Sequence, residues 1–122
     1  RTGNLNIIKE LAKGLEMQAV WACEFEELKS SWRAKHLAGG GEHGNAILSK
    51  YPLAKVGCEI HKHIPLNWER LGTILFQPRR GSRVFLWANV QIEEKLFIRC
   101  YSVHLENFCG IADRLIQMSE VF

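Results

Sequence analysis

The order of apolar and polar positions divides the chain into a helix, a series of strands and a closing helix. From Asn4 to Met17, Ile8, Leu11, Ala12 and Leu15 fall at the i, i+3, i+4, i+7 spacing of one helix face, and Thr2, Asn4 or Asn6 can cap its start. Ala19 to Glu26 alternates, which predicts a strand with Trp21, Cys23 and Phe25 on one side and Glu24 and Glu26 on the other. Two carboxylates so spaced could bind a metal, but solvated strand charges are the commoner reason for them. Leu28 to His43 is polar and glycine-rich and reads as a loop, with a strand over 45–49 that Tyr51-Pro52 ends. Ala54 to Ile64 sets Val56, Cys58 and Ile60 against Glu59, His61 and His63, the pattern of a half-exposed strand. Pro65 to Glu69 then forms a turn or loop containing Trp68.

Arg70 to Val103 reads as a meander. Residues 71–76 form one strand, and Pro78 to Gly81 has the residues of a turn. Val84 to Ile92 is almost continuously apolar, so both its faces are covered. Glu93 to Lys95 turns the chain, and residues 96–103 return antiparallel. The end of that last strand then lies beside the start of 84–92, which brings His104 to the same sheet edge as Arg79, Arg80 and Arg83. In the closing segment Ile111, Leu115, Met118 and Phe122 make one stripe, predicting a helix that packs on the sheet. Helices at both ends of consecutive antiparallel strands imply an α+β layered sandwich.

A length of 122 residues, 47% hydrophobic and 24% charged, suits one small domain or a piece of a larger one and excludes a disordered chain or a coiled coil. No apolar run reaches membrane-span length, and no signal-peptide pattern opens the chain. The net charge of +3 permits an anionic partner without demanding one. Four widely spaced cysteines with no CxxC point to a reducing, cytoplasmic compartment rather than a disulfide framework. The start at Arg1 and the stop inside an apolar helical pattern at Val121-Phe122 predict an internal fragment, a single partial domain.

Several groups of residues could carry chemistry. His104 stands at a strand end, where a sheet fixes a side chain and a loop admits substrate. Three arginines near it suit a phosphate-like anion, although a basic turn also simply aids solubility. Cys109 follows closely and would need activation to act as a nucleophile. Cys58, His61 and His63 are zinc-ligand types without a second cluster at finger or ribbon spacing, so a zinc-binding module is a lesser alternative. Gly39, Gly41 and Gly44 satisfy GxGxxG, but a strand follows them where a dinucleotide site needs a helix, so no nucleotide site is read there.

Gly44-Asn-Ala-Ile-Leu-Ser-Lys-Tyr-Pro-Leu53, then Tyr101-Ser-Val-His-Leu-Glu-Asn107, then Arg114 and Gln117 at R-x-x-Q spacing, together resemble the endonuclease/exonuclease/phosphatase superfamily. The resemblance implies a deoxyribonuclease I-like four-layer α/β/β/α sandwich of which this chain is the middle part. It further implies an Mg²⁺- or Mn²⁺-dependent phosphoric ester hydrolase, a nuclease, phosphodiesterase or phosphatase. His104 would contact the scissile phosphoryl group, with Glu42 orienting it and Arg79, Arg80, Arg83 and Asn107 as candidate phosphate-binding residues. No metal ligand is expected within the chain, because the family's ligands would lie in its flanks. The isolated chain is therefore expected to be inactive and poorly folded. Nucleic acid, a phosphorylated small molecule and a lipid headgroup all fit as substrate. A non-catalytic relative that keeps the fold as a binding module is the principal alternative.

Overall fold

Two three-stranded antiparallel sheets carry the chain, with a helix near each end of it. The computed structural model describes residues 6–28, 40–68, 70 and 78–122. The first sheet has the order β2 (Glu42–Ser49), β1 (Gln18–Glu27), β4 (Arg79–Gly81), and the second has β3 (Leu53–Ile60), β5 (Val84–Glu93), β6 (Leu96–Val103). Helix α1 (Ile7–Gly14) precedes them and α2 (Ile111–Ser119) follows. The sheets face each other, β2 against β5 and β6, and β1 against β3 and β5. The chain is thus a mixed α+β structure, as expected.

Strand β5 is central to its sheet, and its Val-, Phe- and Leu-rich sequence suits a strand covered on both faces. Val84, Phe85, Leu86, Ala88 and Val90 are all buried and form most of the core, joined by Trp68 and Val121. A tight turn leads into β6, and the register Phe85↔Val103 sets the end of β6 beside the start of β5, as the hydrophobic pattern requires. Asn45 ties the sheets together. Its Nδ2 donates to the carbonyls of Val84 (2.9 Å) and Ser102 (3.3 Å) across the interface.

Four expectations fail, each for a physical reason. Pro78 to Gly81 is no turn of a meander, because Arg79–Gly81 is a short strand paired with β1 in the other sheet. Strand β2 begins at Glu42, ahead of the expected start, and Gly44 lies so close to Ala22 of β1 that a Cβ there would meet the Ala22 carbonyl oxygen. On β1 the faces are reversed: Trp21 and Cys23 are exposed, whereas Glu24 and Glu27 are buried. A register irregularity between Cys23 and Phe25 accompanies this switch. Residues 61–63 leave the β3 pattern, and His61 is fully buried.

The helices also differ from their apolar patterns. Asn6 caps α1, its Oδ1 accepting from the Lys9 N–H at 3.0 Å, but Ile7, Leu11 and Leu15 remain exposed. Ile111, Leu115, Met118 and Phe122 likewise face outward from α2, and it is Gln117 and Val121 that are buried. The expected strand over 71–76 lies outside the described residues, as do Gly39 and most of the glycine-rich loop.

Candidate functional site

The site assembles where three strands and one loop meet. Strand β1 supplies Glu24, the residue before β5 is Arg83, and the chain leaving β6 carries His104, Glu106, Asn107 and Phe108. The segment after β3 adds Trp68. Gly81 lets β4 approach closely: its φ of 133° suits glycine, and a Cβ there would sit 2.3 Å from the Glu24 carbonyl oxygen. The same carbonyl accepts from the Ser82 N–H at 3.0 Å, which fixes the backbone at Glu24.

Glu24 is the buried acid of the site. Its Oε2 accepts from His104 Nδ1 at 2.7 Å, and its Oε1 from Arg83 Nη1 at 3.1 Å. The Glu24 side chain is 1% exposed and the His104 side chain 45%, so the pair presents its imidazole to solvent and hides its carboxylate. A carboxylate can only accept, so Nδ1 carries the proton and Nε2 is the ring nitrogen left for other chemistry. Arg83 Nη1 is 3.2 Å from both ring nitrogens. One atom cannot lie along both in-plane axes, so the guanidinium rests against the ring.

Glu106 collects five donors. Its Oε2 accepts from Trp68 Nε1 at 2.6 Å and Arg83 Nε at 3.1 Å. Its Oε1 accepts from the N–H groups of Asn107 (3.0 Å) and Phe108 (3.1 Å), with Arg83 Nη2 at 3.4 Å. Burial alone would raise the Glu106 carboxyl, but the bonds from Arg83, Trp68 and Phe108 outweigh it and hold it below the usual carboxylate range. The Glu106 N–H itself donates to Gln117 Oε1 at 2.9 Å.

The structure separates the residues expected to act together. His104 and Arg83 meet, and Asn107 stands exposed at the rim with its Oδ1 3.5 Å from Arg83 Nη2. Arg79 instead stacks on Phe25 (4.4 Å) and Trp68 (4.5 Å), and Arg80 pairs with Glu26 at the surface. The carboxylate that holds His104 is Glu24 and not Glu42, which is exposed at the start of β2, in register with Glu26. The Cys109 thiol donates to the Glu106 carbonyl at 3.0 Å. Glu106 was not singled out from sequence. Its only signal there is a carboxylate two residues past a strand-end histidine.

A second histidine–carboxylate group pins α2 to the segment after β3. His61 Nδ1 meets Glu120 Oε2 at 3.0 Å, and His63 Nε2 meets Asp113 Oδ1 at 2.8 Å. The Lys62 and His63 N–H groups also donate to Glu120, at 2.9 and 2.8 Å. Burial would raise Glu120, but these bonds prevail and lower it, while the His63 bond lowers Asp113. His61 Nε2 is the one buried side-chain nitrogen or oxygen without a partner among the described residues. His61 lines a cavity of about 20 Å³, room for a single water. Of the three zinc-ligand types, each histidine holds a carboxylate through one ring nitrogen and Cys58 is exposed on β3. Among the described residues no three His, Cys, Asp or Glu side chains gather to hold a metal.

Comparison with protein-family models, with curated proteins and with solved structures gives no match.

Proposed function

We propose that the chain is part of a phosphate-ester hydrolase of the endonuclease/exonuclease/phosphatase superfamily, with its deoxyribonuclease I-like fold, in which His104 contacts the scissile phosphoryl group. One observation carries the reading: a half-exposed imidazole whose Nδ1–H is held at 2.7 Å by a fully buried carboxylate. Glu24 holds the Nδ1–H and offsets positive charge on the ring, so that the imidazolium, once Nε2 is also protonated, can donate from Nε2 to a phosphoryl oxygen as charge develops there. Arg83 adds positive potential from behind the imidazole, and its carboxylate partners keep it in place.

The carboxylates of the cluster are committed to Arg83, Trp68, His104 and backbone N–H groups, so they do not fit a divalent cation. Mg²⁺ or Mn²⁺ enters this reading only through ligands outside the described residues. The phosphate ester can belong to a nucleic acid, a small molecule or a lipid headgroup.

In the protein with its natural flanking sequence, His104→Ala is expected to lower turnover of bis(p-nitrophenyl) phosphate at least ~100-fold, as on losing a transition-state contact. Near-normal turnover would remove His104 from the mechanism. A second reading is a binding module that turns nothing over, which Arg80 and Arg83 do not favour, since they already hold carboxylates. Phosphate-ester binding without hydrolysis by the unaltered protein would select it.

A further inference from the structure

Glu106 stands behind the imidazole without touching it. Its carboxylate accepts from the Asn107 and Phe108 N–H groups and from two nitrogens of the Arg83 fork, and the Trp68 indole N–H donates to it as well. The third nitrogen of that fork, Nη1, reaches Glu24 and lies against His104. The arginine is thus held from two sides, by Glu24 at one end and by Glu106 at the other. Asn107 and Phe108 are both exposed, so water would otherwise compete for their amides, and a buried side chain reaches back to take them instead.

We infer that Glu106 is a positioning residue of the site: its buried carboxylate sets the angle of Arg83 against His104 and shapes the turn that presents Asn107 and Phe108 beside the imidazole. This rests on the reading of His104 as the reacting group, but the geometry it asserts is testable without turnover. The arrangement also has a built-in reporter. The Trp68 indole N–H ends on the same carboxylate oxygen as Arg83 Nε, so its resonance registers any loss of that oxygen.

The first measurement needs no variant. In ¹⁵N-labelled full-length protein, the amides of Asn107 and Phe108 should exchange at least ~10-fold more slowly than in an unstructured chain, as bonds to a charged acceptor require. Exchange at the unstructured rate would overturn the inference. Glu106→Gln then replaces an acceptor oxygen by an amide NH2 facing donors. It should move the Trp68 indole signal and, through Arg83, the His104 ring signals, while those of His63 stay. Where that variant does not fold, Glu106→Asp keeps the charge and shortens the reach, and the same two signals should move together. A displaced Trp68 signal with His104 unchanged would overturn the inference.

With bis(p-nitrophenyl) phosphate as probe, Glu106→Gln should lower kcat about 10–100-fold with KM within ~3-fold, the pattern of lost alignment rather than lost binding. A fall confined to KM counts against positioning. If the unaltered protein hydrolyses nothing while the His104 signals still follow Glu106, the hydrolase reading fails and the positioning geometry stands.

Discussion

Two of the molecule's histidine–carboxylate pairs turn opposite ways with respect to water. At the β6 end the acid is buried and the imidazole is open, 1% against 45% exposed. Where α2 meets the segment after β3, the His61 side chain is 0% exposed and its Glu120 partner 18%. The same two functional groups therefore do different work. A buried acid with an open imidazole leaves a ring nitrogen facing solvent, the nitrogen we propose meets the phosphoryl group. A buried imidazole with an outer acid is a clamp, and here the acid also accepts from two backbone N–H groups to fasten a helix whose Ile111, Leu115 and Met118 are exposed. His43 meets Glu27 in the same sense as His104 meets Glu24, 52% against 10% exposed, so what sets His104 apart is Arg83, which bonds Glu24 and lies against the ring.

The contrast can be broken most severely at Arg83. Arg83→Met leaves Glu24 and Glu106 buried without their cation, and urea unfolding should show a loss of about 3–5 kcal/mol. A loss under ~1 kcal/mol would mean that the three side chains do not act as a unit. Next come the histidines, taken as a crossed pair. His61→Ala should cost about 2–4 kcal/mol through an empty core site and a stranded carboxylate, whereas His104→Ala should change stability by no more than ~1 kcal/mol. If the larger loss fell on His104, the assignment of clamp and site would be inverted.

Acid sharpens the comparison further. Glu120 and Asp113 titrate below their ordinary values in the folded chain. Stability from a depressed carboxyl is complete above its unfolded pKa, near ~4 for such groups, and is lost as pH falls through the folded value. Amide protection in α2 should hold down to about pH 5 and decline below about pH 4. In Glu120→Gln it should start lower at neutral pH and fall less steeply with acid. An identical decline in both proteins would detach the clamp from Glu120. The smallest effect belongs to the surface pair Arg80–Glu26: Arg80→Ala should cost less than ~1 kcal/mol by the same urea assay.

The sequence made some of this legible and hid the rest for reasons that can be named. Strands β5 and β6 were readable because β5 is apolar on both faces and a short polar turn separates the two. Their pairing was enough to bring His104 beside Arg83. Strand β4, at three residues, is too short for any period and joins the other sheet. Glu24 was hidden because a charge on a strand is ordinarily solvated. What buries it is Arg83, 59 residues later, and what it serves is His104, 80 residues later. Helix α2 was read by its apolar stripe, yet it is seated by Gln117, Asp113 and Glu120, polar groups whose partners no local pattern reveals.

Asn45 has a mechanical consequence. A single amide nitrogen crosses from β2 to carbonyls on both β5 and β6, so it works as a key in a shear joint. Side-chain packing between two sheets resists separation but allows sliding, since one methyl replaces another at little cost. A donor shared by two fixed acceptors resists sliding as well. Asn45→Leu would keep the bulk and remove the key, leaving sheets that stay stacked yet lose their common alignment. The strands would survive, and the shared geometry that brings β1 to the end of β6 would not.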